Sequence, residues 1–122
     1  MSTQSEFSQI FEKLRSMLKS YSPNLIVKAD TSDGYSLDGA YSEKWKKDLF
    51  FASAQVRKNY VSFYLMPVYM YPDLLKNISP ELKKHMQGKS CFNFKKIETS
   101  LFDELTQLTK QGFERFMKEE YS

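Results

Sequence analysis

Phe7, Ile10, Phe11, Leu14, Met17, Leu18 and Tyr21 recur every three or four residues. That spacing gathers apolar side chains onto one stripe of a helix. It predicts a helix over about residues 5–20, capped by Ser5 and stopped by Pro23. The same period returns in Leu101, Phe102, Leu105, Leu108, Phe113, Phe116 and Met117, predicting a long C-terminal helix capped by Thr99 or Ser100. Gly112 falls inside it, at a cost of about 1 kcal/mol against Ala unless another element packs closely there.

Between the helices the period shortens. Asn24 to Ala29 reads as a strand centred on Leu25-Ile26-Val27, and Thr31-Ser32-Asp33-Gly34 is turn chemistry before a short strand at Tyr35–Leu37. Residues 38–47 show no clear period and read as a loop. Asp48 to Val56 and Tyr60 to Met66 are rich in aromatic and β-branched residues and flank Arg57-Lys58-Asn59, which has the length of a hairpin loop. Beyond Pro67, Tyr71-Pro72-Asp73-Leu74-Leu75 reads as a helical turn. Ser79-Pro80-Glu81-Leu82 opens a helix, with a Ser cap, Pro in first position and an acid in the first turn, and Gly88 is placed to end it. Ser90 to Lys95 alternates as one more strand. This order lacks the regular β-α alternation of a parallel sheet. The expectation is one α+β domain spanning residues 1–122, with an antiparallel sheet of about five strands packed by the N-terminal and C-terminal helices.

Composition narrows the picture. A chain of 122 residues fits one domain and buries roughly two-thirds of its extended surface on folding. Its single cysteine, Cys91, excludes a disulfide scaffold. No apolar run approaches the roughly 20 residues of a membrane span. The N-terminal residues lack the basic-then-apolar order of an export signal, so a reducing, cytoplasmic setting is expected. The formal charge of +3 is too mild to indicate nucleic-acid binding. The charge is unevenly spread, however. Residues 79–96 hold Lys83, Lys84, Lys89, Lys95 and Lys96 against Glu81, whereas acids outnumber bases over residues 97–122.

Candidate chemistry is sparse. With one His and one Cys, a structural zinc site has too few ligands, and Asp30, Asp33 and Asp38 read as turn and loop residues. No metal or cofactor is expected. His85 and Cys91 have the residue types of a nucleophile and its base. At the end of a short helix, though, His85 suits free carbonyls, and Cys91 in an alternating strand behaves as a small buried apolar residue. Gly88-Lys89-Ser90 lacks the earlier glycine of a phosphate loop and precedes a strand. No catalytic residue is expected. The richest constellation is aromatic: Tyr35, Tyr41, Trp45, Tyr60, Tyr64, Tyr69 and Tyr71. Tyrosines beside Lys89 or Lys95 suit a pocket for an anionic or planar ligand. The alternative is an aromatic core with hydroxyls at its edge.

Two segments carry a resemblance. Asn59-Tyr60-Val61-Ser62-Phe63-Tyr64-Leu65-Met66-Pro67, followed by Gly88-Lys89-Ser90-Cys91-Phe92-Asn93-Phe94-Lys95-Lys96, resembles the two strand motifs of the bacterial YdhG-like family, a domain of unknown function. The resemblance covers roughly residues 24–116 and implies an α+β fold with an antiparallel sheet. Some relatives are described as frataxin-like iron chaperones, a role resting on acidic surface. Here the first helix sets Glu6 and Glu12 against Lys13, Arg15 and Lys19, and Asp38-Gly39-Ala40-Tyr41 lacks the proline associated with the family's earlier strand. The resulting expectation is a non-enzymatic small-ligand or protein-binding module, monomeric or weakly dimeric. Its ligand site is expected at Tyr64, Tyr69, Lys89 and Lys95. Iron delivery is the alternative reading, and single-stranded nucleic-acid binding a further one.

Overall fold

The computed structural model describes residues 3–121; Met1 and Ser2, part of the stretch read for an export signal, and Ser122 lie outside it. A helix, α1 (Thr3–Lys19), is followed by a short 3-10 turn at Ser22–Asn24. Four strands come next: β1 (Ile26–Asp30), β2 (Gly34–Ser42), β3 (Lys47–Val56) and β4 (Val61–Leu65). Two short helices, α2 (Met66–Met70) and α3 (Pro80–Lys83), flank a 3-10 turn at Pro72–Leu75. The chain closes with β5 (Met86–Gln87), β6 (Cys91–Phe94) and the long α4 (Thr99–Tyr121). The sheet is antiparallel in the order β1-β2-β3-β4-β6-β5.

Register explains the core. Tyr35, Ala54, Phe63 and Phe92 are cross-strand neighbours, as are Leu37, Ala52 and Leu65, and all are buried. Side chains alternate between faces along a strand, so the intervening stripe is Ser36, Ser53, Tyr64 and Cys91. Against the apolar face α1 buries Phe7, Ile10, Phe11, Leu14 and Leu18, while α4 buries Leu105, Leu108 and Phe116. Phe51 sits where β2 and β3 slip register, since Leu37 pairs with Ala52 but Asp38 with Phe50. This bulge directs both Phe51 and Ala52 inward. The Phe51 ring meets Tyr21, Phe113 and Phe116 at centroid distances of 5.9, 5.7 and 5.4 Å.

The single α+β architecture matches the sequence reading, with corrections in detail. The sheet has six strands rather than about five, because the two-residue β5 carries no periodic signal. Residues 38–47 are mostly strand: β2 runs on to Ser42 and β3 starts at Lys47. Only Glu43–Lys46 turn, held by Lys46 N–H donating to Ser42 O and Trp45 N–H to Ser42 Oγ. Lys46 takes a left-handed φ of 58° without glycine. Gly88, at φ 82°, serves the β5–β6 turn rather than the end of a helix. Ser5 lies inside α1, and the first residue before α4 is Glu98, whose carbonyl accepts from Leu101 and Phe102 N–H. Gly112 does not interrupt α4. A Cβ there would stand 3.0 Å from Pro67 Cβ, so the missing side chain lets α2 lie against α4.

Candidate functional site

Ser79 caps α3 by accepting from Leu82 N–H at 3.1 Å, and its own hydroxyl donates to Glu104 Oε1 on α4 at 2.6 Å. The chain then turns through Lys84 and His85, where His85 N–H donates to Leu82 O and His85 O accepts from Asn93 N–H on β6. The imidazole stacks on Phe94 at 4.8 Å. Its Nδ1 is 2.8 Å from Asn93 O and its Nε2 is 2.9 Å from Glu98 Oε2. Both ring nitrogens therefore face oxygen atoms of neighbouring residues. Glu98 Oε2 is buried with no directed hydrogen bond, and the His85 ring is its near neighbour. His85 thus sits just beyond the helix end expected for it, and the carbonyl it answers belongs to β6.

His85, Asn93 and Glu98 border an open concavity of about 660 Å³ that Tyr60, Lys84, Lys95 and Lys96, among others, also line. The lysines are exposed, whereas Tyr60 and His85 are half-buried. Exposed ammonium groups beside the engaged His85 ring suit an anion. Tyr60 adds an aromatic face for a planar group.

A second concavity, about 350 Å³, lies where the β2–β3 hairpin meets α2. Trp45, Phe50, Met66, Tyr69 and Met70 supply its apolar walls, with Asp38, Lys47 and Asp48 among them. Trp45 and Tyr69 are 49% and 55% exposed, unusual for such large rings. Trp45 is nonetheless fixed: its Nε1–H donates to Glu120 Oε1 at 2.8 Å, and Tyr71 Oη donates to the other oxygen. Burial pushes the Glu120 carboxyl up, but the Tyr71 and Trp45 hydrogen bonds and the Lys44 charge together outweigh it and hold the carboxyl below its ordinary range. Burial and the bond to Glu120 drive the Tyr71 hydroxyl far above the usual tyrosine value. Tyr121 Oη donates to Ala40 O, and its ring occupies the space that a Cβ on Gly39 would need.

The four residues expected to form one ligand site are dispersed. Tyr69 lines the second concavity and Lys95 the first. Tyr64 lies half-buried in the polar stripe of β4, and Lys89 is exposed in the β5–β6 turn; neither borders these two concavities. Of the partners that join Lys95, Lys84 and Lys96 were legible in the basic stretch over residues 79–96 and Tyr60 among the aromatic residues of the hairpin, whereas His85 read as a helix-end residue. Their convergence depends on the β4–β6 pairing and the turn after α3, which no local signal announces.

Other candidates resolve differently. Asp30 is bound by Arg15 at 2.8 Å, while Asp33 accepts from Thr31 Oγ1 in its turn. Cys91 lies beside Ser62, Tyr64 and Asn93; burial pushes its thiol up, against smaller opposing effects of Ser62, Tyr64 and Arg57. A nucleophile needs the reverse, and the His85 ring is engaged with Asn93 and Glu98 instead. Among the described residues, no three or more His, Cys, Asp or Glu are grouped to hold a metal, and no helix is long and apolar enough to cross a membrane. No protein-family model matches the chain, and searches of curated proteins and of solved structures return no match.

Proposed function

We propose that this chain is a non-enzymatic binding module for a small organic anion, held in the groove between the turn after α3 and the end of β6. One observation carries the reading: Lys84, His85, Lys95 and Lys96 border the same concavity as the ring of Tyr60. The ammonium groups meet the negative charge, and Tyr60 offers its face to a planar carbon skeleton. The contacts of His85 with Asn93 and Glu98 hold this wall in place before ligand arrives, which lowers the ordering that opposes binding. Membership of the YdhG-like family and a cytoplasmic setting belong to this reading, supported by the two strand motifs and by the unpaired thiol of Cys91. Iron delivery has less support, since the described residues offer no grouped ligands.

Calorimetric titration with adenosine monophosphate and with inorganic pyrophosphate tests the proposal. Saturable binding is expected, with a Lys84→Ala/Lys95→Ala double variant weakened at least about tenfold, given roughly 1.5–3 kcal/mol per charged contact. Equal affinity of the variant and the parent would overturn it.

A further inference from the structure

The concavity between the β2–β3 hairpin and α2 has a different chemistry, independent of the anion groove. Asp38 stands at its wall among Trp45, Phe50, Tyr69 and Met70. The two acids differ in what compensates them. Asp48 pairs with Lys28 at 3.2 Å. Among the described residues the Asp38 carboxylate receives no hydrogen bond and forms no ion pair. The charged groups around it are Lys28 on β1 and Asp48 on β3, with Lys47 exposed at the rim and the Tyr121 hydroxyl reaching β2 from α4. Burial raises the Asp38 carboxyl above its ordinary range, Asp48 adds to this, and Lys28 only partly opposes it. A half-buried carboxylate without a partner costs free energy that a bound cation would recover.

The walls suit the same ligand. Aromatic faces attract cations through their quadrupole, and tryptophan does so most strongly. The indole already does this once: Lys44 Nζ lies 5.4 Å from the Trp45 ring centre. The indole is anchored at Nε1 by Glu120, so it does not need to be ordered on binding. Methionine side chains from α2 supply a deformable apolar wall for alkyl groups.

We infer that the concavity formed by Trp45, Phe50, Tyr69 and Asp38 binds an organic cation of the alkylammonium class. The ammonium lies against the aromatic faces within reach of the Asp38 carboxylate, and the carbon substituents meet Met66 and Met70.

Trp45 is the only tryptophan of the chain, so its fluorescence reports directly on this site. Titration with choline, and with 3,3-dimethylbutanol as its uncharged isostere, separates a cation site from a merely apolar one. Choline is expected to give a saturable change in emission and the isostere binding weaker by about tenfold or more. Asp38→Asn and Tyr69→Ala, one nearly isosteric and the other at an exposed position, should each weaken choline by about tenfold. Lys47→Gln, which removes a like charge from the rim, should tighten it. Equal response to choline and its isostere, or affinity unchanged in Asp38→Asn, would overturn the inference, as would an emission unmoved by choline through the millimolar range. The Lys84→Ala/Lys95→Ala variant should bind choline like the parent, which keeps this test separate from that of the anion groove.

Discussion

Two carboxyl groups near the second concavity behave in opposite ways. Glu120 is held low by Tyr71, Trp45 and Lys44 despite its burial, so it contributes stability at neutral pH that is lost as pH falls through its folded value. Asp38 is raised, which means the folded state holds its proton more tightly than the unfolded chain does. Its contribution therefore declines as pH rises from the ordinary aspartate range through the folded value. Asp38→Asn is accordingly expected to raise the melting temperature at pH 7, with the advantage disappearing below the ordinary aspartate range. Melting curves across that range check the sign. Glu120→Ala should do the reverse. It strips partners from Trp45 Nε1 and Tyr71 Oη and costs about 1–3 kcal/mol, which denaturant titration followed by Trp45 emission would measure.

At the scale of elements, two glycines decide where helices rest. Gly39 leaves room for Tyr121, since a Cβ would lie 2.9 Å from its Cζ and 3.0 Å from Phe116 Cε2. Gly39→Ala should therefore cost about 1–3 kcal/mol through overpacking. It should also shift Trp45 emission, because the end of α4 that carries Tyr121 also carries Glu120. Gly112→Ala opposes a gain of about 1 kcal/mol in helix propensity to a contact with the buried Pro67 ring, which α2 fixes; the net effect expected in thermal melts is destabilising. The long helices were legible because their apolar period is sustained, as was the β3–β4 hairpin with its aromatic and β-branched runs. The β2–β3 turn was not. Its left-handed residue is a lysine, and the backbone hydrogen bonds to Ser42 that shape it carry no local signature. A bulge, at Phe51, also breaks the alternation that would have revealed β2 as a partner.

The whole molecule sets two concavities of unlike charge on one scaffold. The anion groove draws on the β3–β4 turn, the turn after α3, β5, β6 and the segment leading to α4; the aromatic one draws on β2, β3, the turn between them and α2. Sequence held the ingredients of both, with lysines crowded into residues 79–96 and aromatics into residues 35–71. Joining Tyr69 to Lys95 in one site failed because nearness in the chain is not nearness in the fold. The strand pairing β4–β6 carries Lys95 toward Tyr60, while α2 turns Tyr69 toward Trp45.

Amide NMR spectra recorded during titration with adenosine monophosphate show whether the first groove receives an organic anion. Progressive, saturable shifts are expected at Tyr60, Lys84, His85, Asn93, Lys95 and Lys96, lost in the Lys84→Ala/Lys95→Ala variant. Shifts centred on other surfaces, or none at millimolar ligand, would contradict anion binding there.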